Sequence, residues 1–458
     1  MPPAWRYWKP APCGADMDVF PTPSAESVHF DVVVAGSGSA GATAAIAAAR
    51  GGAKTLLVER FGFLGGTSTA VLDTFYGFYT PGSCSLKVVG GIADDVVQGL
   101  REHGACIERP NTYGAGTGIT YNSEYLKVVW ERLVQDAGAA ILLYAWIQDV
   151  TLSKQRIQSL TVATKQGLRR VIGECFIDAT GDADLCYFAG APVELAGEQA
   201  PAQMLTTTFK VANVDVPLRK SLSKQEFHRR IATAAESGRF HLPRREGSDH
   251  VTPVKGMMAT NMTRVQSFQL SDGRFRNATD PDLLTSAEIE GRRQALEYLR
   301  FLKSDIPGYA EAELVAFGTQ IGVRETRRVH GEYRLTREDV LSARQFDDQI
   351  GLCGAPIEDH HAGSDTEWQY LPDGQCVGIP FRTLIPQNVE NLLVAGRCFS
   401  ATHDAHASVR SMAQCMAMGQ AAGTAAALSA SLLVAPRELD LRLLRKSLLK
   451  AGAILSSP

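Results

Sequence analysis

The residues best suited to chemistry fall into two clusters near opposite ends of the chain. Near the start, Gly36-Ser37-Gly38-Ser39-Ala40-Gly41 is followed by Glu59. Near the end, Gly396-Arg397 precedes His403-Asp404-Ala405-His406 and then Arg410-Ser411-Met412. Glycines at the first spacing let the backbone turn tightly and approach an anion without an intervening Cβ, so a following helix turns its free N–H groups toward phosphates. A carboxylate about twenty residues further on accepts hydrogen bonds from a ribose and would repel a ribose 2′-phosphate. The first cluster therefore predicts a pyrophosphate and ribose site that disfavours NADP. In the second cluster an imidazole titrates near neutral pH and suits proton transfer, while a guanidinium grips a carboxylate or a carbonyl oxygen. His403, His406 and Arg410 are accordingly the candidate catalytic residues, although the same three would serve equally to fix a loop and a cofactor.

Positioning these groups calls for particular elements. Asp31–Ala35 is a β-branched run of strand length, Ala42–Arg50 is an alanine-dominated helix, and Thr55–Val58 is a second strand ending at Glu59. Strand, glycine turn, helix and strand in that order are the context a dinucleotide fingerprint requires. The loop Gly65-Gly66-Thr67-Ser68-Thr69 adds backbone and hydroxyl donors. Gly138–Ile147 reads as a parallel strand, and Ile157–Thr164 with Leu168–Ile172 as a strand pair. Cys175–Asp178 reads as another strand, running into Ala179-Thr180-Gly181 at the sheet's carboxyl end, where ligands bind. At the far end Asn391–Ala395 reads as a buried strand, His403–Arg410 as a polar loop, and a helix begins near Ser411. The small residues of that helix, Gly419 and Gly423 among them, would let it pack closely on sheet or cofactor. A nucleotide domain begun by one glycine segment and completed by the other narrows the cofactor to FAD. The helix N-terminus at Ser411 and Met412 would then stabilise negative charge on the reduced flavin.

The rest of the sequence bounds these readings. Its 458 residues allow two or three domains, and 45% hydrophobic with 21% charged residues is ordinary for a globular protein. A formal net charge of −3, without a basic run, gives no reason to expect nucleic acid. Nine scattered cysteines lack C-x-x-C spacing, which fits a reducing cytosol and argues against iron–sulfur clusters and a dithiol site. The proline-rich stretch before Phe30 has no apolar core for a signal peptide, and polar residues interrupt the alanine-rich run after Ser411; a cytoplasmic protein without a membrane span is expected. Glu358-Asp359-His360-His361 lacks a spaced partner motif, so no metal is expected. Arg324-Glu325-Thr326-Arg327-Arg328 reads first as a salt-bridged structural run and second as an anion site. Tyr113–Gly118 follows no strand and reads as a loop.

The ordered series GSGSAG, ER-FGFLGG, VGGIADDVV, IDATGDADL, IGVRETRRVHGEYRLTREDV and NLLVAGRCFSATHDAHASVRSMAQCMAMGQAAG resembles the FAD-dependent oxidoreductase family related to heterodisulfide reductase flavoproteins, over about Phe30 to Leu428. The resemblance implies an α/β fold of the glutathione-reductase-like kind: a Rossmann-like FAD-binding domain with a central parallel sheet, interrupted by an α+β substrate domain. The expected division is an arm over 1–29, the FAD-binding domain over 30–200 and 376–430, the substrate domain over 201–375, and a closing helix and tail over 431–458. It implies that Gly36 to Gly41 hold the pyrophosphate and Glu59 the ribose. Arg60, Gly65, Gly66, Thr67 and Ser68 would line the cofactor, and Ile147 would meet the adenine. Ala179, Thr180 and Gly181 would lie at the adenosine end, and Gly396 with Arg397 near the diphosphate and ribityl chain. The cluster-binding cysteines of the heterodisulfide-reductase relatives are missing, so no iron–sulfur chain carries over. The expected reaction is hydride transfer between a C–OH, C–N or CH–CH bond of a small organic substrate and flavin N5. The alternatives are a flavin electron carrier serving a protein partner and an enoate-type reductase running in the opposite direction. Electron acceptor and homo-oligomer formation are left open.

Overall fold

The protein is described here by a computed structural model that covers residues 29–110, 116–199, 201–269, 274–360, 363 and 365–457. Most of the expected N-terminal arm, the middle of the glycine-rich loop at 113–118, and His361 lie outside these residues.

His29–Ala35 forms the centre of a seven-stranded sheet because its valines are buried on both faces, as a parallel strand requires. Thr55–Val58 flanks it on one side with Val34 opposite Leu57, and Ala140–Leu142 extends the sheet beyond. On the other side lies Gly167–Asp178, with Val33 opposite Phe176, and then Leu392–Val394, with Leu393 opposite Ile177. These five strands are all parallel, so the C-terminal strand completes the sheet that the N-terminal residues begin.

Three readings from sequence change here. The parallel strand expected over Gly138–Ile147 is only Ala140–Leu142, and Trp146 opens a separate strand, Trp146–Ser153, antiparallel to Arg156–Thr164. The strand pair and the separate strand expected over 157–178 are one hairpin, Arg156–Thr164 with Gly167–Asp178, whose second strand runs on into the parallel sheet. Its first half is largely exposed and its last four residues are fully buried, which is why a burial pattern reads as two strands. The polar loop over 403–410 is a short helix, His403–Val409, with the Thr402 side chain accepting from the Ala405 N–H as N-cap.

The two glycine segments meet as helices. Ser39–Arg50 and Met412–Leu432 pack so closely that a Cβ on Gly419 would fall 2.1 Å from the Ala40 carbonyl oxygen, and one on Gly423 would fall 2.2 Å from that of Ala44. Contacts advancing by four residues on both chains mean that the helices run parallel. Gly419 lies seven residues into its helix while Ala40 is near the start of the other. The Met412 end therefore projects about 9 Å further, at 1.5 Å per residue.

A second core, containing Phe209, Phe227, Tyr298 and Phe301, lies between these halves. It is formed by the antiparallel strands Ser248–Val251, Met258–Asn261, Thr208–Ala212 and Glu313–Phe317, with the helices Lys224–Glu236 and Pro281–Asp305. Residues from Val329 onward, including Leu352 and Val377, pack into the first core, so the core boundary falls earlier than the expected division at 375. No helix among the described residues is long and apolar enough to cross a membrane.

Candidate active site

A cavity of about 630 Å³ opens at the carboxyl end of the parallel strands. The three glycines of the first loop serve it for different reasons. Gly36 has φ of +87° and would drive a Cβ to 2.6 Å from the Ala179 oxygen, so it permits the turn. Gly41 faces away from the cavity, where a Cβ would lie 1.8 Å from the Gly36 oxygen. Gly38 has nothing within 4 Å of its Cβ position and faces the open cavity. It is the N-cap of Ser39–Arg50 and no side chain caps that helix, so the N–H groups beside Ser39 and Ala40 are left for a ligand. Glu59 is buried at the rim. Its Oε2 accepts from Ser37 N at 2.9 Å and Ser37 Oγ at 2.5 Å, its Oε1 from Phe61 N at 2.9 Å. A carboxylate has about four acceptor positions, so it retains capacity for a ribose hydroxyl.

Most other expected cofactor residues line the same cavity: Arg60, Gly66, Thr67, Ile147, Ala179, Thr180, Gly181, Gly396, Arg397, Ser411 and Met412. Arg60 lies over the rings of Phe61 and Trp146 at 4.9 and 5.1 Å. Arg397 donates from Nη2 to Asp182 Oδ1 at 2.9 Å, leaving Nη1 buried without a partner. The helix Met412–Leu432 has no side-chain cap at Ser411, so a second helix presents free N–H groups to the cavity. Gly65 and Ser68 do not line it. Gly65 N donates to the Ser37 oxygen at 2.8 Å and Ser68 Oγ to the Gly65 oxygen at 2.7 Å, bracing the first loop from behind.

The expected bases are displaced. His406 is fully buried; the Arg397 carbonyl accepts from its Nε2 at 2.6 Å, and burial, with repulsion from Arg328 and Arg410, pushes it well below the ordinary imidazole range. His403 lies outside the cavity, its Nδ1 3.0 Å from Glu325 Oε1 and its Nε2 3.3 Å from Asp359 Oδ1. Asp359, His403 and Asp404 bring one ligand atom each within 4.8 Å; Asp359 is already 3.3 Å from His403 Nε2, and Asp404 lies 3.8 Å from Arg337 Nε. Of the three candidate catalytic residues, only Arg410 faces the cavity.

The far end of the cavity brings Arg324, read from sequence second as an anion site, and the candidate Arg410 together with groups that no sequence signal marks. Arg244 and Arg324 line it with Arg410, and a second cavity of about 430 Å³ adjoins it, sharing Tyr76, Asn261, Arg324, Glu358 and Arg410. In this chamber His250 Nε2 faces Asp73 Oδ1 at 2.7 Å. Burial raises the Asp73 carboxyl, but His250 and Lys210 outweigh that and hold it below its ordinary value. Burial likewise raises Glu358, yet His360, Arg410 and Arg324 bring it down to about 2. The adjacent His360, disfavoured as a cation by burial and by Arg324, falls to about 3. Cys415 also lines the first cavity, but burial pushes its thiol up to about 12 and keeps it protonated. No motif marks Asp73, Arg244 or His250, which meet only through the fold.

The glycine gap at Gly38, the two uncapped helix ends and the buried Glu59 fit FAD. A model of the family described as FAD dependent oxidoreductase matches residues 31–448, and the chain belongs to that family. It is an enzyme whose cofactor is FAD. No curated protein matches the sequence. Among solved structures, the flavin-dependent brominase Bmp2 is 12% identical, with 92% of this chain and 83% of that chain covered and a TM-score of 0.46. A geranylgeranyl bacteriochlorophyll reductase-like protein from Thermoplasma acidophilum is 12% identical over 93% and 96%, with a TM-score of 0.43. The p-nitrophenol 4-monooxygenase PnpA from Pseudomonas putida is 10% identical over 92% and 84%, with a TM-score of 0.44. At this distance none of them bears on substrate. None of these findings links the chain to heterodisulfide reductase flavoproteins.

Proposed function

We propose that the enzyme transfers a hydride between a carbon of a small organic substrate, at a C–OH, C–N or CH–CH bond, and FAD. Bound FAD supplies a two-electron acceptor or donor at N5 of its flavin. The glycine loop and Glu59 would hold the pyrophosphate and ribose, and Arg397, fixed by Asp182 through Nη2, would have Nη1 free for the bound cofactor. The N-terminus of Met412–Leu432, projecting about 9 Å further along the packed helices, would offer its N–H groups to negative charge developing on a bound flavin ring.

The observation that carries this reading is the continuity of the two cavities. The space lined by the first glycine loop runs past Met412 and shares Arg324 and Arg410 with an adjoining chamber. An electron carrier has no use for such a chamber. In it the Asp73–His250 pair takes the place expected for His403 or His406: an imidazole oriented by a buried carboxylate accepts or returns the proton that accompanies hydride transfer.

The test is anaerobic. FAD-loaded protein mixed with alcohols, amines and carboxylic acids should lose its flavin absorbance with at least one class. His250→Ala should slow that bleaching about 100-fold while FAD stays bound. Bleaching only by a reduced protein partner would establish the carrier instead.

A further inference from the structure

Three guanidiniums come together at the far end of the cofactor cavity, where the Glu358 carboxylate attracts Arg324 and Arg410 but forms an ion pair with neither. Arg244 stands in the loop before Ser248–Val251, Arg324 between Glu313–Phe317 and Arg327–Val329, and Arg410 at the end of His403–Val409. Among the described residues none has a carboxylate within the 4.0 Å of an ion pair. Their protein partners are neutral oxygens. Arg324 Nη1 donates to the Met204 carbonyl at 2.6 Å. Arg244 Nη1 donates to Asn261 Oδ1 at 2.9 Å, while its Nε has no partner although the residue is only 7% exposed. Arg410 has an unpartnered Nε and only a long 3.5 Å approach to the Glu358 carbonyl.

The neighbouring arginines show that the fold can neutralise such charges. Arg327 pairs with Asp184 at 2.9 Å, and Arg328 with Glu194 and Glu325. In the run from Arg324 to Arg328 the salt-bridged reading therefore holds for the last two arginines and not for the first. Besides Glu59, Asp182 and Asp184, two further acids line the cavity, and both have hydrogen-bond partners of their own: Glu358 is 2.8 Å from His360 Nε2, and Glu246 accepts from Thr366 N at 3.0 Å. Like charges converging in a half-buried cavity are costly unless something completes them.

We infer that the substrate carries a carboxylate, gripped by Arg324 with Arg244 and Arg410 beside it. The inference rests on the hydride-transfer reading, because it assigns to the substrate an anion site distinct from the cofactor's. The guanidinium fork matches a planar carboxylate in a bidentate fashion, and a buried cation left unmatched discriminates against neutral analogues. A substrate anchored there extends its carbon skeleton toward the Met412 end of the cavity or into the chamber of His250.

The test uses probes small enough to enter whatever shape the natural substrate has. FAD uptake is measured first, by visible absorbance; its failure sinks the hydride-transfer reading itself. Acetate and benzoate are then titrated against the FAD-loaded protein by flavin difference absorbance and against the FAD-free protein by thermal shift, with acetamide, benzamide and inorganic phosphate as comparisons. The carboxylates should bind and the amides should not. Arg324→Met should weaken carboxylate binding about ten- to a hundredfold with FAD content unchanged. Four results overturn the inference: no binding of either carboxylate, equal binding of the amides, tighter binding of phosphate, or a variant indistinguishable from the parent. Loss of FAD from Arg324→Met also overturns it, by assigning the arginine to the cofactor.

Discussion

At the glycine-loop end of the cavity the carboxylates are bound by protein groups, Glu59 by Ser37 and Phe61 and Asp182 by Arg397. At the other end Arg244, Arg324 and Arg410 face the space with neutral partners or none. Each arrangement suits its ligand. On the proposed reading, a constant cofactor would be held mainly by backbone N–H groups and helix ends, with Glu59 both bracing the loop and meeting the ribose. Where the ligand comes and goes, the charge is left for it to complete.

The first way to break this comparison is steric and has the largest expected effect. Gly41→Ala places a Cβ 1.8 Å from the Gly36 carbonyl oxygen of the same loop. It should cost about 3 kcal/mol of stability, seen as a fall in Tm of the FAD-free protein, and abolish FAD uptake. Gly38→Ala separates binding from folding, because its Cβ meets only open cavity. The FAD-free Tm should stay within a few degrees while FAD affinity drops about a hundredfold, a loss of about 2.7 kcal/mol. A matching loss of Tm would show that Gly38, like Gly41, serves the fold. Glu59→Ala should weaken FAD about tenfold in equilibrium dialysis, and unchanged retention would remove its ribose role.

The remaining prediction concerns pH dependence beside the arginine cluster. His360 falls from the ordinary 6.5 to about 3 because burial and Arg324 disfavour its cation. Below pH 6.5 the unfolded chain takes up a proton there that the folded protein refuses, so stability declines as pH falls toward 3. The slope approaches about 1.4 kcal/mol per pH unit for each such proton. His360→Gln should flatten the denaturation midpoint against pH in that window, and an unaltered slope would place the acid sensitivity elsewhere.

The two ends also differ in how much of them the sequence discloses. Gly36, Gly38, Gly41 and Glu59 act through local backbone geometry, and local geometry leaves a spacing that can be read. Gly419 and Gly423 announce close packing, although their partner, the helix at Ala40 and Ala44, emerges only from the fold. The bases expected at His403 and His406 fail for a physical reason. A loop was inferred where Thr402 caps a helix, and that helix turns both imidazoles into the protein, onto Glu325 and the Arg397 carbonyl. Asp73 and His250 stand 177 residues apart. Arg244, Arg324 and Arg410 likewise come from three separate segments, and no spacing records their convergence.

The account turns on cofactor and substrate being held by different chemistry at the two ends. FAD binding measured side by side for the parent protein, Gly38→Ala and Arg324→Met tests this most directly. The account predicts that Gly38→Ala loses FAD by about a hundredfold, whereas Arg324→Met binds it as the parent does. Equal loss in both variants, or loss only in Arg324→Met, would contradict it.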